Sequence, residues 1–501
     1  MRKFRSITVR QLWAATLLVG IFIFVNTHPI RPQDFWWHMA LGREISSTGQ
    51  IPTVDTYSYT MNGQPYPSYQ MFWLADIGLY ALYSLGGPAL VVFTQSLMIT
   101  GTYLLIFMLC WKASRNWGAT TLAMFFSAAQ GIHNWNVRPQ MISYLIGALF
   151  LYAIYAYRLK PSRKWLAVFP AGMLIWANSH GSFPIGFILI GIWLGDALWN
   201  ALNSYLNGER KSIATNILAP LIALIFSGLA CLINPRGIGI FTYVFSLSGN
   251  PIIQNLIPEW AAPTFDSQIG MIFYLGLLFC IVILALSPNR PSFFQLLTFV
   301  VFSLLAIVTT RGVVWFGLVM APVLADHLSD LNGRLRKRKG KLTPNSRSSL
   351  INVAFLLLLL ILAILSLPWF KHFFPFPKLK SGLISLETPV AATDFLKSQE
   401  LAGNLFNDIG FGSYLIWAAY PDYHVFVDSR IELYPINLWW DYSALSNADP
   451  GWNELLERYE INTMLLNVEN QKPLITTLEK SSSWDLIYRD PTAVIFKRIT
   501  E

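Results

Sequence analysis

The stretch Arg31-Pro32-Gln33-Asp34-Phe35-Trp36-Trp37-His38 puts an acid, two indoles and an imidazole directly after the first apolar run of the chain. As a carboxylate, Asp34 could act as a general base or, with a second acid, hold a divalent cation (Mg or Mn). His38 follows one helical turn later, at the i,i+4 spacing that puts two side chains on one face. Asp55 lies in the same polar stretch. Four further ionisable residues sit in polar gaps between later apolar runs. These are Arg138 before Pro139, His180 in Asn178-Ser179-His180-Gly181, Glu259 before Trp260, and Arg311. The two arginines suit a phosphate, which a guanidinium binds through paired N–H donors. Glu259, like Asp55, is a possible second acid. Each residue also has a plainer role. Asp is a favoured helix N-cap, so Asp34 could cap a helix starting at Phe35. Trp36 and Trp37 fit an interfacial aromatic belt. Arg138 and Arg311 could simply snorkel to the membrane surface. His180 sits in a turn too tight to leave it much core.

The elements that must hold these residues are membrane spans. The chain is 54% hydrophobic and only 13% charged, about half the charge of an ordinary soluble protein. Many apolar runs approach 20 residues, enough for a ~30 Å hydrocarbon core. The net charge of +9 would suggest nucleic acid in a soluble chain, but here the basic residues collect in short loops between apolar runs. That distribution is a topology signal and argues against a nucleic-acid partner. The three cysteines fall in apolar segments and imply no disulfide framework.

Arg2, Lys3, Arg5 and Arg10 precede the first span, residues 11–28, and put the N-terminus in the cytoplasm. A large outside loop, 29–87, follows. Its last part, 71–85, is apolar but short and is interrupted by Asp76, so it reads as an interfacial helix that does not cross. Gly86-Gly87-Pro88 ends it. Spans then fall near 88–111, 117–133, 140–158, 164–179, 183–203, 213–233, 268–287, 293–309, 312–328 and 350–370. On this reading Lys112/Arg115, Arg158 to Lys164, Arg210/Lys211, Arg290 and Arg334 to Lys341 all share the side of the N-terminus. Counting 71–85 as a span would invert everything after it. The positive-inside rule therefore selects about eleven spans with the C-terminus outside.

Two domains result: a transmembrane domain, residues 1–370, and an extracytoplasmic α/β domain, residues 371–501. In the second, strand-like runs at 404–409, 423–429, 462–468, 484–490 and 493–498 alternate with helical patterns near 389–400, 412–419, 452–459 and 473–481. Ile409-Gly410-Phe411-Gly412 is half of a dinucleotide turn without its third glycine, and reads as a glycine-rich exit from a strand. No Walker loop, zinc spacing or Gly-x-Ser-x-Gly elbow occurs.

A first span, a large outside loop with an early acid, and an interfacial helix ending in Gly-Gly resemble the GT-C superfamily of membrane glycosyltransferases. That superfamily includes protein mannosyltransferases, oligosaccharyltransferases and aminoarabinose transferases. Asp34 to His38 with Gly42, Ile51-Pro52-x-x-Asp55-x-x-Ser58, Arg138-Pro139, Asn178-x-His180-Gly181, Glu259-Trp260, Arg311 and Val427-Asp428-Ser429-Arg430 are similar to a loosely characterised bacterial group within it. The resemblance implies a polyprenyl-phosphate-linked sugar donor and a glycan, lipid or protein acceptor at the outer face of the plasma (inner) membrane. It maps the family's first-loop acid, a catalytic base or metal ligand, onto Asp34. Many members have Asp-Glu at this site, whereas Phe35 follows Asp34 here. A transporter or lipid flippase, and a non-catalytic assembly protein on the same fold, are the alternatives. The first would place acids near the bilayer midplane, whereas here they gather at the outer ends of the spans.

Overall fold

A computed structural model describes residues 8–208, 213–339, 349–373, 382–399, 401 and 403–499. Arg2, Lys3, Arg5, Arg210, Lys211 and Lys341, used above for topology, lie outside these residues, as do residues 374–381, at the start of the expected C-terminal domain. The packing groups the chain differently from a division at residue 370. One compact unit, here the helical unit, comprises Met1–His28, Val92–Ile240 and Ile257–Phe373. The other, the mixed unit, comprises Pro29–Val91, Phe241–Leu256 and Phe374–Glu501. The first loop thus packs with the C-terminal segment, because its tyrosines and tryptophans share one apolar core with that segment.

The helices before the C-terminal segment run in the order α1 (Val9–Thr27), α2 (Phe35–Thr48), α3 (Tyr69–Ser114), α4 (Trp117–Gly131), α5 (Gln140–Leu159), α6 (Arg163–Ala177), α7 (Pro184–Leu206) and α8 (Ile213–Cys231). They continue with α9 (Gly239–Ser248), α10 (Pro251–Leu256), α11 (Gln268–Leu286), α12 (Phe293–Val308), α13 (Arg311–Lys339) and α14 (Ser349–Leu365). Each expected span coincides with a helix. Among the described residues, six helices are long and apolar enough to cross a membrane: α1, α3, α5, α7, α11 and α13. Shorter apolar helices accompany them, α8, α12 and α14 among these. α11 and α14 leave leucines and isoleucines such as Leu275, Leu350 and Ile351 exposed, as expected of surfaces solvated by lipid. The core of the helical unit is α13, whose Val313 to Ala325 face is almost wholly buried against its neighbours.

α3 breaks where the sequence places the end of the interfacial helix. Gly86 leaves helical geometry and Gly87 takes φ +63°, ψ −162°, a conformation open to glycine and costly for other residues. Pro88 then restarts the helix without an N–H to satisfy.

The C-terminal segment adds α15 (Val390–Gln399), β1 (Asn404–Asn407), α16 (Ile409–Ala418), α17 (Ile436–Asn447), α18 (Trp452–Arg458), β2 (Ile461–Asn467), α19 (Lys472–Leu478), β3 (Trp484–Arg489) and β4 (Ala493–Arg498). The four strands form one sheet in the order β1-β2-β4-β3, parallel between β1 and β2 and antiparallel elsewhere. β2 is buried on both sides in this arrangement, which explains its unbroken Thr-Met-Leu-Leu run.

Residues 423–429, read as a strand, do not join this sheet. Their backbone bonds are taken elsewhere: Val425 exchanges hydrogen bonds with Tyr57 and Tyr59. The Asn407 side chain accepts from Phe426 N–H and donates to the Val427 carbonyl, both at 2.8 Å. α17 was not expected; Trp439 and Leu438 bury one face of it. Gly412 permits a close approach, since a Cβ there would lie 2.3 Å from the Val427 carbonyl oxygen. Packing of α16 on this segment accounts for the Gly-x-Gly without a nucleotide.

Candidate functional site

In the mixed unit, Asp34 immediately precedes α2. It already has helical backbone angles, and its side chain makes no capping hydrogen bond. The N-cap role is therefore not what holds it. It is partly exposed, at the end of a helix whose next residues, Phe35 to Leu41, are all buried. Trp36 and Trp37, read as belt residues, are in fact core: they are 0% and 4% exposed. Trp36 packs edge-on against Tyr414 at 4.9 Å and donates its indole N–H to the Arg31 carbonyl at 3.1 Å. Trp37 stacks on His38 at 3.6 Å. These contacts fix the first turn of α2 and so the backbone that carries Asp34.

His38 and Asp55 are not open to a substrate. His38 is 2% exposed, and its Nδ1 lies 2.6 Å from Oδ1 of Asp76, which is itself 0% exposed. Asp76, seen in the sequence only as an interruption, is thus the buried partner that ties α2 to α3.

Asp55 is 0% exposed and belongs to a larger cluster. Arg430 donates to Asp55 Oδ1 at 2.5 Å across 375 residues of chain, and its Nε and Nη2 bond Asp428 at 2.8 and 2.6 Å. Ser58 donates to Asp55 through its N–H at 3.0 Å and its hydroxyl at 2.5 Å, and Tyr69 donates at 3.0 Å. Tyr434 donates to Asp428 at 2.5 Å. Burial pushes the Asp55 carboxyl up, but Arg430 and the Ser58 hydrogen bonds outweigh it and hold the group below the ordinary carboxylate value. The Asp55-x-x-Ser58 and Asp428-Ser429-Arg430 motifs are therefore two halves of one buried structure. The sequence signal was present in Arg430, a lone cation among apolar residues with an acid two positions away. Its distant partner was not visible.

In the helical unit, three of the remaining candidates converge. Glu259 accepts from Arg138 Nη1 at 2.9 Å and from Arg311 Nε at 3.3 Å, one oxygen to each. Its backbone is anchored independently, since Arg311 N–H and the Thr309 hydroxyl both donate to the Glu259 carbonyl. Arg311 also lies 4.6 Å above the Trp260 ring, a cation–π contact. The side chains are 13% (Arg138), 29% (Glu259) and 32% (Arg311) exposed. Two guanidinium groups thus share one carboxylate.

His180 lies in the turn between α6 and α7. Its Nδ1 accepts from Ser182 N–H at 3.1 Å, and Ser182 Oγ also accepts from the Trp176 indole at 3.2 Å. Trp176 stacks on Trp315, one turn beyond Arg311, at 5.8 Å. Two hydrogen bonds through Ser182 and one ring stack thus link His180 to Trp315, on the helix that begins with Arg311. Among the described residues, no group of three or more His, Cys, Asp or Glu side chains is placed to hold a metal ion.

No family model and no curated protein matches the sequence. Solved structures do share its fold. The crystal structure of ArnT from Cupriavidus metallidurans bound to undecaprenyl phosphate matches with a TM-score of 0.50 at 14% identity, covering 97% of each chain. The cryo-EM structure of the arabinofuranosyltransferase AftD from Mycobacteria matches with a TM-score of 0.52 at 12% identity, covering 99% of this chain and 40% of that one. The likeness is one of architecture, with little sequence left in common. The chain thus shares the fold of ArnT and of AftD, and among its described residues six helices are long and apolar enough to cross a membrane.

Proposed function

We propose that this chain is a membrane glycosyltransferase that moves a sugar from a polyprenyl-phosphate-linked donor to an acceptor hydroxyl on the extracytoplasmic face. The observation that carries the reading is the end-to-end fold match to ArnT, a protein crystallised with undecaprenyl phosphate. A polyprenyl donor cannot leave the bilayer, so its enzyme must meet it at the headgroup level, where the sequence reading expects this chain's acids and arginines to gather.

Asp34 is the proposed base. The acceptor oxygen attacks the anomeric carbon, its proton passes to the Asp34 carboxylate, and the carbon–oxygen bond to phosphate breaks with its electron pair staying on the polyprenyl phosphate. A single displacement inverts the anomeric centre. The Arg138–Glu259–Arg311 cluster is the candidate for binding the phosphate, because paired guanidinium donors match its oxygens. His38 and Asp55 are assigned to positioning, since both are sealed. His180 is assigned to substrate binding. Among the described residues no group of three or more His, Cys, Asp or Glu side chains forms a cation cradle, and the steps above use only this chain's own residues.

The test is transfer by purified full-length protein from a panel of radiolabelled polyprenyl phosphate sugars, with and without a chelator. Asp34→Asn should lower the rate by about 10²–10⁴-fold, the usual worth of general-base assistance. Its melting temperature should stay nearly unchanged, because Asn is isosteric with Asp and equally good at a helix N-cap. Transfer that survives in Asp34→Asn would remove the base assignment.

A further inference from the structure

The mixed unit contains a pocket of about 320 Å³, lined by residues from three separate stretches: the loop before α3, the α9–α10 segment, and the turn Ile431–Leu433. That volume is within the range of small-ligand sites. Its polar groups are fixed before any ligand arrives. Tyr66 and Ser68 both donate to Oε1 of Glu432, at 2.7 and 3.0 Å. Ser68 is in turn 2.5 Å from the Tyr243 hydroxyl. Beneath this network Arg430 lies 5.4 Å from the Tyr66 ring, so the buried Asp55–Arg430–Asp428 cluster immobilises the wall.

What the network leaves over defines the ligand. Both donors go to Oε1, and among the described residues nothing donates to Oε2 of Glu432. Asn250 uses its carbonyl oxygen to accept from Ile252 N–H at 2.9 Å, which leaves its amide N–H₂ to donate. The pocket therefore offers a charged acceptor and a neutral donor, with the Pro67 and Tyr243 surfaces between them. None of the nine lining residues is cationic. A phosphate or carboxylate would face an uncompensated Glu432, so an anionic ligand is disfavoured. A vicinal pair of hydroxyls can donate to Oε2 and accept from Asn250, while a sugar ring's C–H face packs on proline and tyrosine.

We infer that this pocket is a saccharide-binding site for a sugar that carries no negative charge, either neutral or amine-bearing. Its lining includes none of the residues assigned to proton removal or phosphate binding. It does not depend on the transferase reading, because binding can be measured where no transfer occurs.

The test uses full-length protein in lipid nanodiscs free of glycolipid and sugar-headed detergent. Saturation-transfer NMR is recorded with glucose, N-acetylglucosamine, glucosamine and glucose 6-phosphate as probes. The first three, or a subset of them, should bind saturably and glucose 6-phosphate should bind more weakly than glucose. Glu432→Gln keeps an acceptor for Tyr66 and Ser68 but turns the free position into a donor. It should weaken binding by at least about tenfold, the worth of a hydrogen bond to a charged group. Ser246→Trp, at the exposed rim, should block the pocket without touching the Glu432 network, and so guards against a folding defect in the first variant. Failure of all three uncharged or amine-bearing probes, binding that survives both variants, or tighter binding of glucose 6-phosphate would each overturn the assignment.

Discussion

Arg430→Met should unfold the mixed unit under conditions where the wild type is stable. The side chain is replaced by one of similar reach without charge, so the perturbation is mainly electrostatic. In the wild type one guanidinium serves two carboxylates, and all three side chains are 0% exposed. Removing a single partner from a buried pair costs about 3–5 kcal/mol, because the charge left behind is desolvated and unpaired. Here two carboxylates are stranded at once, so the loss should reach about 5 kcal/mol, the top of that range. Total stabilities are only about 5–15 kcal/mol, so such a loss is a large fraction of the whole. Asp55→Asn is the milder control: Arg430 keeps its two bonds to Asp428, and the loss should be about 1.5–3 kcal/mol. Adding Asp55→Asn and Asp428→Asn to Arg430→Met removes the stranded charges and should recover most of the stability. The assay is pulse proteolysis of full-length protein in nanodiscs across a urea series, read on fragments from residues 403–499. Cys110, Cys231 and Cys280 are free, buried and confined to the helical unit, so a thiol-reactive dye reports that unit in the same samples. Arg430→Met within about 1 kcal/mol of wild type, the scale of an ordinary substitution, would refute the argument. A triple variant less stable than Arg430→Met would refute it as well.

Acid should act on the same cluster. The folded-state pKa of Asp55 lies below its ordinary value of 3.8. The stabilisation is therefore fully present above pH 3.8 and lost as pH falls through the lower folded value. Melting temperature should drop on that acid limb in the wild type, and Asp55→Asn should flatten it; an equal slope in both would exclude Asp55 as a contributor. Topology is open to a separate measurement. Ser47 and Ser482 are exposed and belong to one compact unit, so single cysteines at both positions should react with an impermeant thiol reagent in intact cells. Labelling of one alone would break the eleven-span scheme.

Local physics made much of this protein readable from its residues. Apolar length set the helices, since a segment that must satisfy its backbone in lipid has little choice but to coil. Gly86-Gly87-Pro88 marked the break in α3, because one residue there takes a backbone conformation that favours glycine. All four strands of the sheet were legible; residues 423–429 have the same composition but find their partners in the first loop. Burial and long-range pairing were decided only in three dimensions. Trp36 and Trp37 look the same in a sequence whether they line a membrane surface or fill a core. Asp34, Asp55 and Asp76 are three acids in or beside one loop, and nothing local distinguishes the partly exposed one from the two that are sealed by His38 and Arg430. Glu259 looked like a second acid until Arg138 and Arg311 were found on its two oxygens. A hydrogen bond spanning 375 residues leaves no periodicity in the chain, and only the folded backbone brings its two ends within reach.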